Sequence, residues 1–332
     1  MKQSERNILF KSWIENSIDA MITRIEPASS DASFRSYYRI ILNNEDTFIA
    51  VDSPPEHENN RQFLRIAQIL NDMGIAVPKI IDSELNHGFL IISDLGNNTM
   101  LDKLTSNNQH SSDYYKKAVS LISKMQHSGV SSHSELPLYD KDMMLDEMKL
   151  FVYWYCKLEL KINDKEMQKY DLYSIFNQIA DRAVKQEKVF VHRDFHSRNI
   201  IINSNNQLGI LDFQDAVLGP ITYDLVSLLR DCYITLPEKF VSEKIEHFYH
   251  ESSALLMKTT QEEFIKDFDL MGIQRHLKAV GIFSRLKHRD QKENYILDIP
   301  RTRDYLIKIC DKYDSLQLLS DFLREHSHKR KP

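Results

Sequence analysis

At 332 residues the chain has room for about two compact units at roughly 150 residues each, with an apolar core that needs no disulfide staples. Lys and Arg number 43 against 48 Asp and Glu, a net charge of −5 spread along the sequence, which argues against a binder that must neutralise many nucleic-acid phosphates. The 8 glycines form neither a G-x-G-x-x-G nor a G-x-x-x-x-G-K-[ST] spacing, so the dinucleotide fingerprint and the P-loop are excluded, and there is no G-x-S-x-G elbow.

Residues 1–23 read as an amphipathic helix, with Ile8, Leu9, Trp13, Ile18, Met21 and Ile22 on its apolar stripe. No h-region and no apolar run of about 20 residues occurs. Residues 33–51 hold two β-prone runs, YYRIIL and TFIAV, around Asn43-Asn44-Glu45-Asp46, which predicts a hairpin that Pro54-Pro55 terminates. Phe63, Ile66, Ala67, Leu70 and Met73 recur at helical spacing over residues 56–73, with Gly74 as the cap. Strands at 77–82 and 88–93 complete a first unit of about 95 residues. Beyond it the texture is helical, at Ala118–Met125 spacing, over 144–158 and over 172–183, apart from a β-prone interruption at 189–213. The tail HSHKRKP reads as a frayed end. Cys156, Cys232 and Cys310 lie about 77 residues apart with no C-x-x-C pair, so they read as buried thiols of a cytoplasmic protein.

The interruption, VFVHRDFHSRNIIINSNNQLGILDFQDAVLGPITYD, is the densest cluster of acids, amides and histidines. Two β-prone runs flank the turn formers Ser204-Asn205-Asn206-Gln207, so an antiparallel hairpin is the simplest pairing. Pairing Asn203 with Leu208 places Asn199 opposite Asp212, with β-carbons about 5 Å apart. An amide oxygen and a carboxylate at that separation suit Mg²⁺, which keeps few protein ligands and completes its shell with water and substrate phosphates. Asp194, five residues before Asn199, stands where a hydroxyl nucleophile would give up its proton.

HRDFHSRN resembles the H-R-D-x-x-x-x-N catalytic loop of the protein-kinase-like superfamily, and its aromatic-His form is similar to that of the aminoglycoside and choline kinase branch. The downstream LDFQDAVLGPITYDL resembles that branch's metal acid followed by G-P-x-x-Y-D. The resemblance implies Asp194 as catalytic base, Asn199 and Asp212 as metal ligands, and Asp224 as a brace for the loop. The string D-A-S-F-R-x-Y-x-R from Asp31, V-D-S-P-P and G-F-L-I-I-S-D-L-G extend it to the anomeric kinases of N-acetylmuramate and N-acetylglucosamine in cell-wall recycling, over residues 25–306. It implies an α+β, bilobal protein-kinase-like fold. An N-terminal lobe at 1–95 would carry a small antiparallel sheet and bind the nucleotide. A mostly helical lobe at 96–332 would carry the catalytic hairpin and the sugar site.

ATP and Mg²⁺ are the implied cofactors and an amino sugar the implied partner, with no nucleic acid, membrane or obligate protein partner. Ser29, Ser30 and Ser33 would supply donors to the phosphates, and Ser93, Asp94 and Leu95 the backbone beside adenine. The phosphate-pairing lysine is missing from TFIAVD, and Arg35 or Arg39 would take its place, since arginine suits bidentate phosphate contact. On the sugar side the candidates are Arg193, His196, Asp231, Arg275 and Arg285. The cations of QRHLKAVGIFSRLKHRD suit an acidic sugar better than a polycationic drug. Another small alcohol or amine as acceptor, or a pseudokinase binding module, are the alternatives.

Overall fold

The computed structural model describes residues 3–29, 34–106, 111–128, 136–203 and 205–326. The chain divides into two units, residues 1–99 with 199–214, and residues 100–198 with 215–332.

The elements of the N-terminal stretch are α1 (Gln3–Ser17), β1 (Ile22–Ser29), β2 (Ser36–Leu42), β3 (Thr47–Asp52), α2 (Asn60–Asp72), β4 (Ile80–Glu84) and β5 (Phe89–Ser93). There follow α3 (Met100–Ser106), α4 (Ser111–Ser128), α5 (Lys141–Leu150), a π-helical segment (Phe151–Glu159), α6 (Asp164–Met167) and α7 (Leu172–Ala183). Next come β6 (Lys188–Val191), β7 (Ile200–Ile202), β8 (Leu208–Ile210) and β9 (Val217–Pro220). The chain ends with α8 (Tyr223–Leu229), α9 (Glu238–Glu251), α10 (Gln261–Asp290), α11 (Ile299–Cys310) and α12 (Gln317–Glu325).

In the first unit, β1 to β5 form an antiparallel sheet in the order β1-β2-β3-β5-β4. The expected hairpin is β2–β3. The expected helix over 1–23 stops at Ser17, and β1 follows as an edge strand, the position in a sheet that tolerates a proline such as Pro27. The rotation of α1 also differs from the expected stripe, because Ile8 and Leu9 are 72% and 37% exposed while Arg6 is buried. Arg6 donates to Asp52 Oδ1 through Nε at 2.9 Å and Nη2 at 2.5 Å, and to the His87 carbonyl at 2.6 Å. That buried pair turns Phe10 and Ile14 onto Ile40, Leu42, Ala50 and Phe89. On α2, Asn59 caps the first turn by accepting from the Gln62 amide at 3.1 Å, and Gly74 at φ +66° lets the chain leave after the last one.

The β7–β8 hairpin belongs to this first unit although sequence order sets it among the helices. The Ile202 amide donates to the Asn98 carbonyl and the Ile210 amide to the Ala76 carbonyl, both at 2.9 Å.

The second unit is organised on α10, whose 30 residues span about 45 Å. Thr260 and Glu263 close a capping box at its start. It packs on α5, the π-helical segment, α7, α8 and α11. The segment expected as one α-helix over 144–158 is α5 followed by nine π-helical residues. Gly281 of α10 sits at that junction, where a β-carbon would lie 2.5 Å from the Leu150 carbonyl carbon and 2.6 Å from the Phe151 nitrogen. Strands β6 and β9 pair antiparallel, Val189 opposite Gly219, and β6 delivers the chain to residues 192–198. All three cysteines are buried and unbridged. No helix among the described residues is long and apolar enough to cross a membrane. In the tail His326 is buried, and residues 327–332 lie outside the described residues.

Candidate active site

The hairpin that carries Asn199 and Asp212 is shifted by one residue from the expected register. Ile200 faces Ile210, Ile201 faces Gly209 and Ile202 faces Leu208. Local turn chemistry sets this: Asn203 Oδ1 accepts from the amides of Asn205 and Gln207, both at 2.9 Å, and the loop closes between Asn203 and Gln207. Asn199 therefore faces Leu211, whose amide donates to the Asn199 carbonyl at 2.9 Å. Asp212 is the next residue, at φ +61°, and the left-handed turn re-aims its side chain. Gln214 Nε2 donates to Asp212 Oδ1 at 2.7 Å, and the Gln214 carbonyl accepts from Gln62 Nε2 of α2 at 2.9 Å. Phe213, fully buried, stacks on Phe63 of the same helix with centroids 4.9 Å apart. Two hard oxygen donors on adjacent positions of an anchored hairpin fit a divalent cation.

In the second unit the loop after β6 is held by two buried carboxylates. Asp224 accepts from the amides of His192 at 2.7 Å and Arg193 at 3.0 Å, as the expected brace. Burial first, then the nearby charge of Asp194, pushes its pKa up to about 7 against those two donors. Asp231, expected on the sugar, is a second brace: it accepts from the amides of Ser197 and Tyr233, each at 2.9 Å. Arg193 has φ +74°, and its guanidinium is bound by Glu147 of α5 and lies over the Tyr139 ring at 5.5 Å. His192 is buried edge-on to Phe195.

These braces present Asp194 to a pocket lined also by His196, Tyr223, Tyr233, Arg275, Lys278 and Phe283. Burial alone would raise the Asp194 carboxyl, but the nearby charges of Lys278, Arg275 and Arg193 hold it at about 2. It is a carboxylate at neutral pH, ready to accept a hydrogen bond from a hydroxyl. Burial lowers His196, which therefore stands neutral against the Tyr233 ring at 5.2 Å. Of the two α10 arginines expected on the sugar, Arg275 lines this pocket and Arg285 does not; ten residues on, Arg285 is about 15 Å further along α10.

Lys278 and Glu147 were not expected. Lys278 Nζ lies 3.0 Å from Glu147 Oε1 and 3.2 Å from the Tyr223 hydroxyl. The i, i+3 spacing of Arg275 and Lys278 was the available signal, since it places both on one helix face.

On the nucleotide side, Ser29 ends β1 opposite Tyr37, while Ser30 and Ser33 lie outside the described residues. Arg35 is buried; its Nη2 is 3.2 Å from Glu58, its Nε donates to Ser53 Oγ at 3.2 Å, and its guanidinium covers Phe63. Arg39 donates to both oxygens of Asp94, at 2.5 and 3.1 Å. Asp94 also accepts from the Gly96 amide at 2.8 Å. Ser93 exchanges backbone and side-chain hydrogen bonds with Lys79, and Leu95 lies over Gly209. Both arginines already have a carboxylate partner inside the first unit.

The family model described as the phosphotransferase enzyme family matches residues 24–255. The chain belongs to this phosphotransferase family. The enzyme is 36% identical over 299 residues, 90% of its own length and 87% of the relative's, to the N-acetylmuramate/N-acetylglucosamine kinase of Pseudomonas aeruginosa. It is 33% identical to the protein of that name from Neisseria meningitidis, over 97% of this chain and 96% of that one. Among solved structures, choline kinase from Streptococcus pneumoniae superposes with a TM-score of 0.62 at 13% identity, covering 92% and 99% of the two chains. An ADP-bound aminoglycoside phosphotransferase does so with a TM-score of 0.57 at 15% identity, covering 90% and 96%. These two share the fold, a five-stranded antiparallel sheet followed by a mostly helical remainder. The phosphotransferase is thus a small-molecule kinase, and membership of its family implies ATP as phosphate donor and a divalent cation.

Proposed function

We propose that this kinase transfers the γ-phosphate of ATP to the anomeric hydroxyl of N-acetylmuramate or N-acetylglucosamine, giving the sugar 1-phosphate and ADP. The observation that carries the choice of acceptor is the composition of the Asp194 pocket, where two cations, Arg275 and Lys278, face one carboxylate. A net positive wall would repel a polycationic or quaternary-ammonium acceptor but not a neutral or acidic sugar. The names of the relatives from Pseudomonas and Neisseria support the same class.

Asp194 accepts the hydroxyl proton while the sugar oxygen forms its bond to the γ-phosphorus and the bond to the β-phosphate oxygen breaks, releasing ADP. Asp224 and Asp231 hold the loop so that this carboxylate stays in place. Asn199 and Asp212 are the residues that would hold Mg²⁺, which when bound neutralises charge on the phosphates. Glu58 and Asp94 would compete with phosphate oxygens for Arg35 and Arg39. ATP as donor and three unbridged thiols fit a cytoplasmic place in cell-wall recycling.

The test is ADP release with N-acetylmuramate, N-acetylglucosamine, glucose, choline and kanamycin, followed by phosphorus NMR of the product. Turnover of the N-acetylated sugars with an anomeric phosphate resonance is expected. Turnover of choline or kanamycin alone would replace the acceptor, and no turnover with any acceptor would favour a pseudokinase.

A further inference from the structure

Four arginines are buried among the described residues: Arg6, Arg35, Arg230 and Arg275. Three have a carboxylate within reach, Arg6 with Asp52 at 2.5 Å, Arg35 with Glu58 at 3.2 Å and Arg230 with Asp269 at 2.5 Å. Arg275 is the exception. It is 6% exposed, its Nε has no hydrogen-bond partner, and its Nη1 has only the soft Cys232 sulfur at 3.8 Å. A guanidinium removed from water without hard acceptors is costly to keep, and this one lines the pocket that holds Asp194. One helical turn on, Lys278 lines the same pocket with Glu147 behind it.

We propose that Arg275, with Lys278 beside it, is the receptor for a carboxylate on the sugar acceptor. The inference rests on the sugar-kinase reading above and adds a specificity determinant to it. N-acetylmuramate is N-acetylglucosamine carrying a lactyl ether, whose carboxylate is the one charged group that distinguishes the two sugars. The planar fork of arginine suits bidentate capture of that group, and Lys278 contributes a point charge. The neutral sugar offers Arg275 no carboxylate, and it binds through the remaining contacts alone.

The experiment measures kcat and KM with ATP for N-acetylmuramate, its methyl ester and N-acetylglucosamine, on wild type, Arg275→Lys and Arg275→Gln. In the wild type, the acid is expected to exceed its ester in kcat/KM by roughly 10- to 100-fold, carried by KM, as charge-assisted hydrogen bonds of this kind supply. In Arg275→Gln that ratio is expected to shrink at least tenfold, with Arg275→Lys between. Equal kcat/KM for acid and ester in the wild type would overturn the inference, and needs no variant to fold. So would an equal loss on acid and neutral acceptors in Arg275→Gln, which would assign Arg275 to the transferring phosphoryl group. If the wild type phosphorylates neither sugar, the proposed function fails and this inference falls with it; if it phosphorylates N-acetylglucosamine but not the acid, only the inference fails.

Discussion

Replacing Glu147 with glutamine keeps the size of the side chain and removes one negative charge from a buried network. Its Oε1 faces Arg193 and Lys278, and its Oε2 accepts from the Tyr139 hydroxyl and from Gln274 Nε2 at 2.9 Å. Burial alone would raise this carboxyl, but Lys278 and Arg193 hold it below the usual 4.5. Breaking a buried ion pair from one side costs about 3–5 kcal/mol, and a glutamine oxygen recovers part of it, leaving about 3 kcal/mol. At roughly 2.1 cal/mol/K per residue, unfolding 332 residues carries about 0.7 kcal/mol/K, so Glu147→Gln should lower Tm by about 4 °C. A carboxyl with a depressed folded pKa contributes stability that is complete above its unfolded value and is lost as pH falls through the folded one. The deficit should therefore be full at pH 7.5 and shrink below pH 4.5. Thermal unfolding followed by circular dichroism at pH 7.5 and pH 4 measures both. Asp146→Asn, which removes an exposed pair with Lys149, is the control and should move Tm by less than about 1 °C. A Glu147→Gln protein within 1 °C of wild type at pH 7.5, or a deficit that grows at pH 4, would refute the network as a source of stability.

Three further outcomes follow from the site and the helix crossing. Asp194→Asn should lower kcat by about 10²- to 10⁴-fold in the ADP-release assay, with KM for ATP little changed; a loss confined to KM would contradict its role as base. Asp212→Asn should raise the Mg²⁺ concentration for half-maximal rate by about tenfold, read from a metal titration after chelation, and an unchanged titration would remove Asp212 from the metal site. Gly281→Ala forces a methyl within 2.6 Å of backbone atoms at the α5 junction, which should cost about 1–3 kcal/mol; thermal melts of the variant and of Ala279→Gly would show whether the crossing is that tight.

The candidate loop was legible because its residue types and spacing are local: HRDFHSRN and the DFQ after the hairpin single out Asp194, Asn199 and Asp212 as candidates without any tertiary knowledge. The hairpin register slipped by one because the side chain of Asn203, not the strand residues, decides where the loop closes. Strand β1 was hidden by Arg24, Glu26 and Pro27, which an edge strand tolerates. The buried face of α1 depends on Arg6 finding Asp52, 46 residues away. Glu147 and Lys278 are 131 residues apart, and before folding each reads as one more charge on a solvated helix face. Asp231 and Arg275 were both candidates for the sugar side, and only the fold sets the acid on two backbone amides while the cation lines the Asp194 pocket.

The assignment of residues 199–214 to the first unit has a bearing on biogenesis. A nascent chain that has emerged only to residue 99 lacks the hairpin whose amides reach the carbonyls of Ala76 and Asn98. At about 5–20 residues per second, ribosomes need roughly 6–23 s more to supply it. During that interval the sheet and α2 are an unfinished body, and the helices made meanwhile are unfinished too, since α10 on which they pack has not been translated. Neither unit can be obtained by cutting the gene once.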